Sequence, residues 1–175
     1  MDIKAFIFDM DGLLFDSERI VQRSWEIAGD ELGIPHMGDV IYHTLGMNRA
    51  GRNEYFRKYI REDFPFEEFG KLTRDNFWKI VDKEGLPLKK GAKELLAYGK
   101  SQGYKMAVAT SSSREYAMGN LIRAGIDSHF DSVVCGDMVK KAKPDPEIYQ
   151  KACESLGIQP EYCMAFEDAP GGILS

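Results

Sequence analysis

Cysteine is scarce in this chain: Cys135, Cys153 and Cys163 are the three present in 175 residues. An odd count with no CxxC pair argues against a disulfide framework, and the three read as small buried hydrophobes. Long apolar runs are missing as well. No stretch approaches the ~20 residues that a bilayer-spanning helix needs. The opening Met1-Asp2-Ile3-Lys4 lacks both the basic region and the small-residue cleavage site of a secretory signal. Basic excess is absent too: a formal net charge of -5 and a pI near 5.3 offer no face for nucleic acid. Lys89-Lys90 and Lys140-Lys141 are only local clusters of solvated surface. The three histidines, His36, His43 and His129, show no HExxH spacing and have no cysteine companions, which argues against zinc. Nothing looks repeated or low in complexity. These absences lead us to expect a soluble, cytoplasmic globular protein with no membrane or nucleic-acid partner, present as a monomer or weak oligomer.

What the chain does contain is concentrated first at Phe6–Asp16, Phe-Ile-Phe-Asp-Met-Asp-Gly-Leu-Leu-Phe-Asp. An apolar run that reads as a buried strand ends on two carboxylates, Asp9 and Asp11. In an open parallel sheet, ligands bind outside the carboxyl ends of the strands. Two acids one residue apart there repel each other unless a cation lies between them. Gly12 then lets the chain turn where a bulkier residue would obstruct the backbone.

Beyond that strand the apolar positions Val21, Trp25, Ala28 and Leu32 recur at helical spacing, with Asp16 or Ser17 available as N-cap and Gly33 as terminator. Gly38–Ile60 and Phe66–Val81 are mostly helical by pattern, and nothing between Asp16 and Lys83 alternates as a strand. Gly85-Leu86-Pro87-Leu88 breaks helical continuity and serves as a return linker. The remainder alternates. Helix 92–100, strand 105–109, helix 114–124, strand 132–135, a helix entered at Pro146 and running to about Leu156, and strand 162–166 follow in turn. Strands separated by helices imply right-handed βαβ units and a parallel sheet. The fold class is therefore α/β, a Rossmann-like parallel-sheet core in residues 1–15 and 85–175 with an inserted helical module in residues 16–84.

Three further segments carry polar groups at or near predicted strand ends: Thr110-Ser111-Ser112, Lys143-Pro144-Asp145-Pro146, and Glu167-Asp168-Ala169-Pro170-Gly171-Gly172. Together with Asp9-Met10-Asp11-Gly12, in this order, they resemble the haloacid dehalogenase superfamily of aspartate-dependent phosphotransferases, and within it the phosphatases related to β-phosphoglucomutase. The likeness runs nearly end to end. It implies that residues 16–84 form a cap over an active site, and that the chain, which stops at Ser175, lacks a further helix and strand of the core. We therefore expect a shortened chain, or one that another chain completes.

The resemblance implies a role for each motif. Asp9 is the expected nucleophile, since a carboxylate attacks a phosphate dianion only when Mg²⁺ and fixed donors neutralise its charge. Mg²⁺ takes oxygen ligands and keeps several waters, so the expected set is the Asp9 carboxylate, the Asp11 backbone carbonyl, Asp168, and Glu167 directly or through water. Taken alone, Glu167-Asp168 is an acidic helix cap; its place after an apolar strand favours the metal. The Asp11 side chain is the expected general acid and then general base, which requires an environment that disfavours its charge. Thr110 and Ser111 would present a hydroxyl and backbone amides to the phosphoryl oxygens, although Thr-Ser-Ser-Ser is also a helix N-cap cluster. Lys143, biased toward extended backbone by Pro144, would reach inward to the phosphate and Asp9. Arg49 and Lys79 of the insert are the expected contacts for the distal part of the substrate.

The implied activity is a Mg²⁺-dependent phosphomonoester hydrolase acting on a small phosphorylated metabolite, with sugar phosphates as candidates. A β-phosphoglucomutase is the alternative enzyme, and a noncatalytic fragment or interaction module is the alternative from a different class. Val21 and Leu45 stand where the mutase resemblance calls for histidine and lysine, which favours the hydrolase.

Overall fold

The computed structural model of the chain describes residues 2–44, 47 and 49–175, with residue 49 described by its backbone alone. The chain divides into two compact units, one joining the segment up to Asp16 to Gly85–Ser175, the other comprising Ser17–Glu84.

The first unit is built on four parallel strands: β1 (Ala5–Phe8), β2 (Lys105–Thr110), β3 (Ser132–Cys135) and β4 (Cys163–Phe166), in the order β3-β2-β1-β4. β1 is buried along its whole length, which is why Ala-Phe-Ile-Phe reads as a continuous apolar run and not as an alternation. Its residues still point alternately to two faces. Ile7 packs with Ala107, Ala109 and Val134 against Ile148, Ala152 and Cys153 of α7 (Glu147–Leu156). The small alanines of β2 leave room for that helix. On the other face Phe6 stacks on Tyr104 with ring centroids 4.3 Å apart, and Phe8 stacks on Phe166 at 4.9 Å. α5 (Ala92–Ser101) and α6 (Arg114–Ala124) supply the other crossover helices, and α6 is capped by Ser113, whose hydroxyl accepts the Tyr116 N–H at 3.4 Å.

The register pairs Phe8 with Val108 on one side and with Phe166 on the other. Asp9, Thr110 and Glu167 therefore leave their strands at the same edge. β1 lies between the two directions of winding, the switch point where an α/β sheet opens a crevice. At this edge the segment before the helical insert pairs with the segment after it. Asp16 N–H donates to Pro87 O at 2.8 Å, Lys89 N–H donates to Leu14 O at 2.9 Å, and Lys89 pairs with the Asp16 carboxylate at 3.1 Å.

The second unit consists of α1 (Ser17–Glu31), α2 (Met37–Thr44), α3 (Arg49–Tyr59) and α4 (Phe66–Glu84). None of its described residues lies in a strand. The periodicity of 38–60 reads as mostly helical, and the structure has two helices there, α2 and α3, with Met47 outside both. The core is aromatic: Trp25 meets Phe56 and Phe69 edge to face at 5.5 and 5.6 Å, and Phe64 meets Phe69 at 5.2 Å. Arg23 closes the unit's ends by a two-pronged pair with Glu84 at 2.7 and 2.9 Å. Among the described residues no helix is long and apolar enough to cross a membrane.

Candidate active site

Asp9 follows directly on β1 and is buried, with its backbone N–H donating to Phe166 O at 3.0 Å. That bond continues the β1–β4 ladder one step beyond the strands and brings Asp9 level with Glu167. Lys143 enters from the loop before α7, through a cis Lys143–Pro144 peptide. Its ammonium donates to Asp9 Oδ1 and to Glu167 Oε2, each at 2.6 Å, with all three side chains nearly buried. It also lies 4.9 Å from the centre of the Tyr149 ring. The Tyr149 hydroxyl donates to Glu167 Oε2, and Glu167 Oε1 accepts the Ala169 N–H at 3.2 Å.

Asp168, on the exposed side, completes a cluster. One carboxylate oxygen from each of Asp9, Glu167 and Asp168 lies within 4.8 Å of the others. Three carboxylates against one ammonium leave a formal charge of -2, and every candidate ligand is a hard oxygen. That donor set suits a divalent cation such as Mg²⁺ or Ca²⁺ and not a soft metal. The electrostatics agree. Burial is the largest influence on Asp9 and pushes its carboxyl up to about 7; the charge and hydrogen bond of Lys143 oppose burial without cancelling it, and weaker repulsion from Glu167 and Asp168 adds to the rise. Burial also works against the charge on Lys143, but Asp9 and Glu167 outweigh it and hold the ammonium above the usual lysine range. Glu167 is opposed by burial in the same way, yet the bonds from Lys143 and Tyr149 keep it below the ordinary glutamate range.

The turn after Asp9 is tight, Leu14 and Phe15 both donating their N–H to Met10 O at 3.0 Å. It presents Asp11 toward the start of α6. The Ser112 hydroxyl donates to Asp11 Oδ2 at 2.8 Å and the Tyr116 hydroxyl donates to Asp11 Oδ1 at 3.0 Å. Thr110 is fully buried at the end of β2, and its Oγ1 accepts the Ser112 N–H at 3.1 Å. Ser111 is exposed beside it. So the Thr-Ser-Ser-Ser segment both caps α6, through Ser113, and lines the strand edge.

The first unit thus brings Asp9, Asp11, Thr110, Ser111, Lys143, Glu167 and Asp168 to one edge of one sheet. The expectations for the insert are less complete. Lys79 lies on α4 and its ammonium is directed to Asn76 Oδ1 at 3.5 Å. The side chain of Arg49, together with Leu45, Gly46 and Asn48, lies outside the described residues. Three contributors carry no sequence signal of their own: the Ser112 side chain, Tyr116 and Tyr149. Ser112 sits within a motif but was not distinguishable from a capping serine. The two tyrosines occupy helix positions that periodicity alone assigns to partial burial.

Comparison with known proteins agrees with this arrangement. The family model for haloacid dehalogenase-like hydrolases matches residues 3–175. A phosphorylated carbohydrates phosphatase of Thermotoga maritima is 33% identical over 171 residues, covering 98% of this chain and 79% of the relative. Hexitol phosphatase A of Escherichia coli is 31% identical over 175 residues, covering 100% of this chain and 79% of the relative. A crystal structure from Thermotoga maritima, provisionally described as a β-phosphoglucomutase, superposes with a TM-score of 0.80 at 31% identity, covering 98% of this chain and 79% of that one. With the strand edge, its acids and the whole-chain match in agreement, the protein belongs to the haloacid dehalogenase-like hydrolases, among the phosphatases of the β-phosphoglucomutase-like group.

Proposed function

We propose that the chain is a Mg²⁺-dependent phosphomonoester hydrolase that releases phosphate from a small phosphorylated metabolite, a sugar phosphate in the first instance, through an aspartyl-phosphate at Asp9. The observation that carries this reading is Asp9 itself: a buried strand-end carboxylate within 2.6 Å of a lysine and grouped with two further acids. The names of the relatives, which act on phosphorylated carbohydrates and hexitols, support the substrate class.

In this reading Asp9, Asp168 and Glu167 hold Mg²⁺, with the Asp11 carbonyl as a further ligand. The bound cation supplies positive charge that keeps Asp9 ionised and offsets the charge of the phosphoryl oxygens. The Asp9 oxygen not bonded to Lys143 attacks phosphorus, and the P–O bond to the alcohol breaks. Asp11 gives its proton to the departing oxygen, then takes one from the water that attacks the aspartyl-phosphate. Phosphate leaves and the Asp9 carboxylate is regenerated. Lys143, Thr110 and Ser111 donate to the phosphoryl oxygens, where fixed donors stabilise the charge that develops. Ser112 and Tyr116 hold the Asp11 carboxyl until substrate displaces them. Arg49 and Lys79 bind the distal part of the substrate.

The mutase alternative needs a phosphoenzyme guarded from water. Val21 cannot couple closure to proton transfer and Leu45 offers no charge to a second phosphate, so water should compete. A phosphate-release screen over phosphorylated metabolites tests the hydrolase. Incubation with β-glucose 1-phosphate, a trace of glucose 1,6-bisphosphate and Mg²⁺ separates the two enzymes: glucose 6-phosphate forming much faster than free phosphate would overturn hydrolysis in favour of the mutase.

A further inference from the structure

Glu147, the first residue of α7, stands outside the acidic cluster at Asp9, yet it grips the loop that carries Lys143. Its two carboxylate oxygens accept the Lys140 backbone N–H at 3.1 and 3.0 Å, and the nearer one also accepts the Lys141 N–H at 2.9 Å. One turn along the helix, Lys151 pairs with Glu147 at 3.1 Å and donates to Met138 O at 2.6 Å. Two oppositely charged side chains of one helix thus hold a carbonyl and two amides of the segment 138–141. Lys140 and Lys141 are exposed. What the fold uses of them here is the backbone.

The turn between those amides and α7 is closed on itself. Asp145 N–H donates to Ala142 O at 3.0 Å, Asp145 Oδ1 accepts the Glu147 N–H at 3.1 Å, and Asp145 Oδ2 pairs with Lys141 at 3.1 Å. Lys143 is the lysine of this turn that points inward, its side chain 10% exposed against 72% for Lys141. Its ammonium is a point charge on a flexible four-carbon stem, with no fork to orient it, so its place depends on the backbone that carries it. A displacement of about 1 Å at a reacting centre can cost ~100-fold in rate. The bond from the Lys140 amide, followed by that from Lys151, keeps the Glu147 carboxyl below the ordinary glutamate range, so the grip is anionic at neutral pH.

We propose that Glu147 is a positioning residue for Lys143: by fixing the Lys140 and Lys141 amides it sets the loop so that the ammonium meets Asp9, Glu167 and an incoming phosphoryl oxygen together. The bonds of its carboxylate go to the loop and to Lys151, so it acts through the loop and not on substrate. Its part in turnover rests on the hydrolase reading above, whereas the placement of the ammonium does not.

Two measurements on the full chain test this. In proton–nitrogen NMR spectra selective for lysine ammonium groups, a buried Lys143 held by two carboxylates should exchange slowly enough to give its own signal, identified by its loss in Lys143→Met. Glu147→Ala should shift that signal or broaden it away, while the helix persists because alanine is a good helix former. Phosphate release is then followed in the wild type, Glu147→Ala, Lys143→Met and the double variant. Glu147→Ala should lower kcat/KM about tenfold where Lys143 is present. In the Lys143→Met background it should lower it by less than about twofold, because the two changes act on one unit. A residue that merely stabilised the fold would lower both backgrounds equally. No Lys143 signal in the wild type, a signal unmoved by Glu147→Ala, or equal losses with and without Lys143 would each overturn the proposal. A wild-type chain that releases no phosphate from any metabolite would overturn the hydrolase reading instead, and the ammonium signal would still decide whether Glu147 places Lys143.

Discussion

Gly12 and Asp168 are 156 positions apart in sequence, and the backbone of one lies against the carboxylate of the other. Gly12 adopts φ +85°, and a Cβ built on it would run into the Asp168 carboxyl group. The turn that carries Asp11 is thus fitted to the acid that completes the cluster, and the same lack of a side chain serves both the turn and the close approach. Gly172 has the corresponding relation to Glu167, whose side chain occupies the space its Cβ would need.

Gly12→Ala should therefore do more than strain one residue. The left-handed conformation costs about 1–2 kcal/mol for a residue with a Cβ, and the displaced Asp168 should lower Mg²⁺ affinity at least tenfold. Isothermal titration with Mg²⁺ checks this, and an unchanged affinity would show that the turn and the acid are not coupled.

Asp9→Asn should reduce turnover by more than a hundredfold, about 2.7 kcal/mol of barrier, because an amide cannot form the acyl phosphate. The fold should survive, since the substitution removes a buried charge. Retention of more than about a hundredth of wild-type kcat would count against Asp9 as the nucleophile.

Asp168→Ala should act chiefly on metal binding. Loss of an anionic ligand weakens a site for a hard cation, and activity should fall with it, recovering in part as Mg²⁺ is raised. Calorimetry showing wild-type Mg²⁺ affinity in this variant would remove Asp168 from the ligand set.

Lys143→Met should leave Asp9 and Glu167 buried together with no cation between them. Breaking a buried pair by removing one partner costs about 3–5 kcal/mol, so Tm should drop by several degrees. Saturating Mg²⁺ should narrow the difference from wild type, as the metal takes over part of the neutralisation. A Tm deficit that Mg²⁺ does not change would argue that the lysine and the metal do not serve the same acids.

Away from the site, Asp131 links β2 to the segment before β3. Its Oδ2 accepts the Met106 N–H at 2.9 Å and its Oδ1 accepts from Lys105 at 2.7 Å. Slight burial works to raise its carboxyl, but those two bonds prevail and hold it below the ordinary aspartate range. A depressed folded value means that the stabilisation is fully present above the unfolded aspartate pKa, near ~3.9, and is lost as pH falls through the folded one. Asp131→Asn should thus lower Tm at pH 7, with the gap to wild type closing below about pH 4 in thermal melts. A gap that stays constant down to pH 2.5 would mean the effect is not ionic.

Much of this protein was legible in the residues. The run Ala5–Phe8, buried on both faces of a parallel sheet, had to be continuously apolar, so its end, and with it Asp9, could be located by composition alone. The helices after Ser113 and Pro146 announced themselves by cap and period. The acids and the lysine were identifiable because their motifs recur in a known family, a resemblance that the whole-chain family match supports. Other features were decided by tertiary structure. Tyr116 and Tyr149 are drawn to Asp11 and Glu167 by the way α6 and α7 pack on the sheet, and a helix period states only that a side chain is half-buried, not what it meets. Sequence sets what each segment can bury; the packed core sets which polar groups are left facing one another.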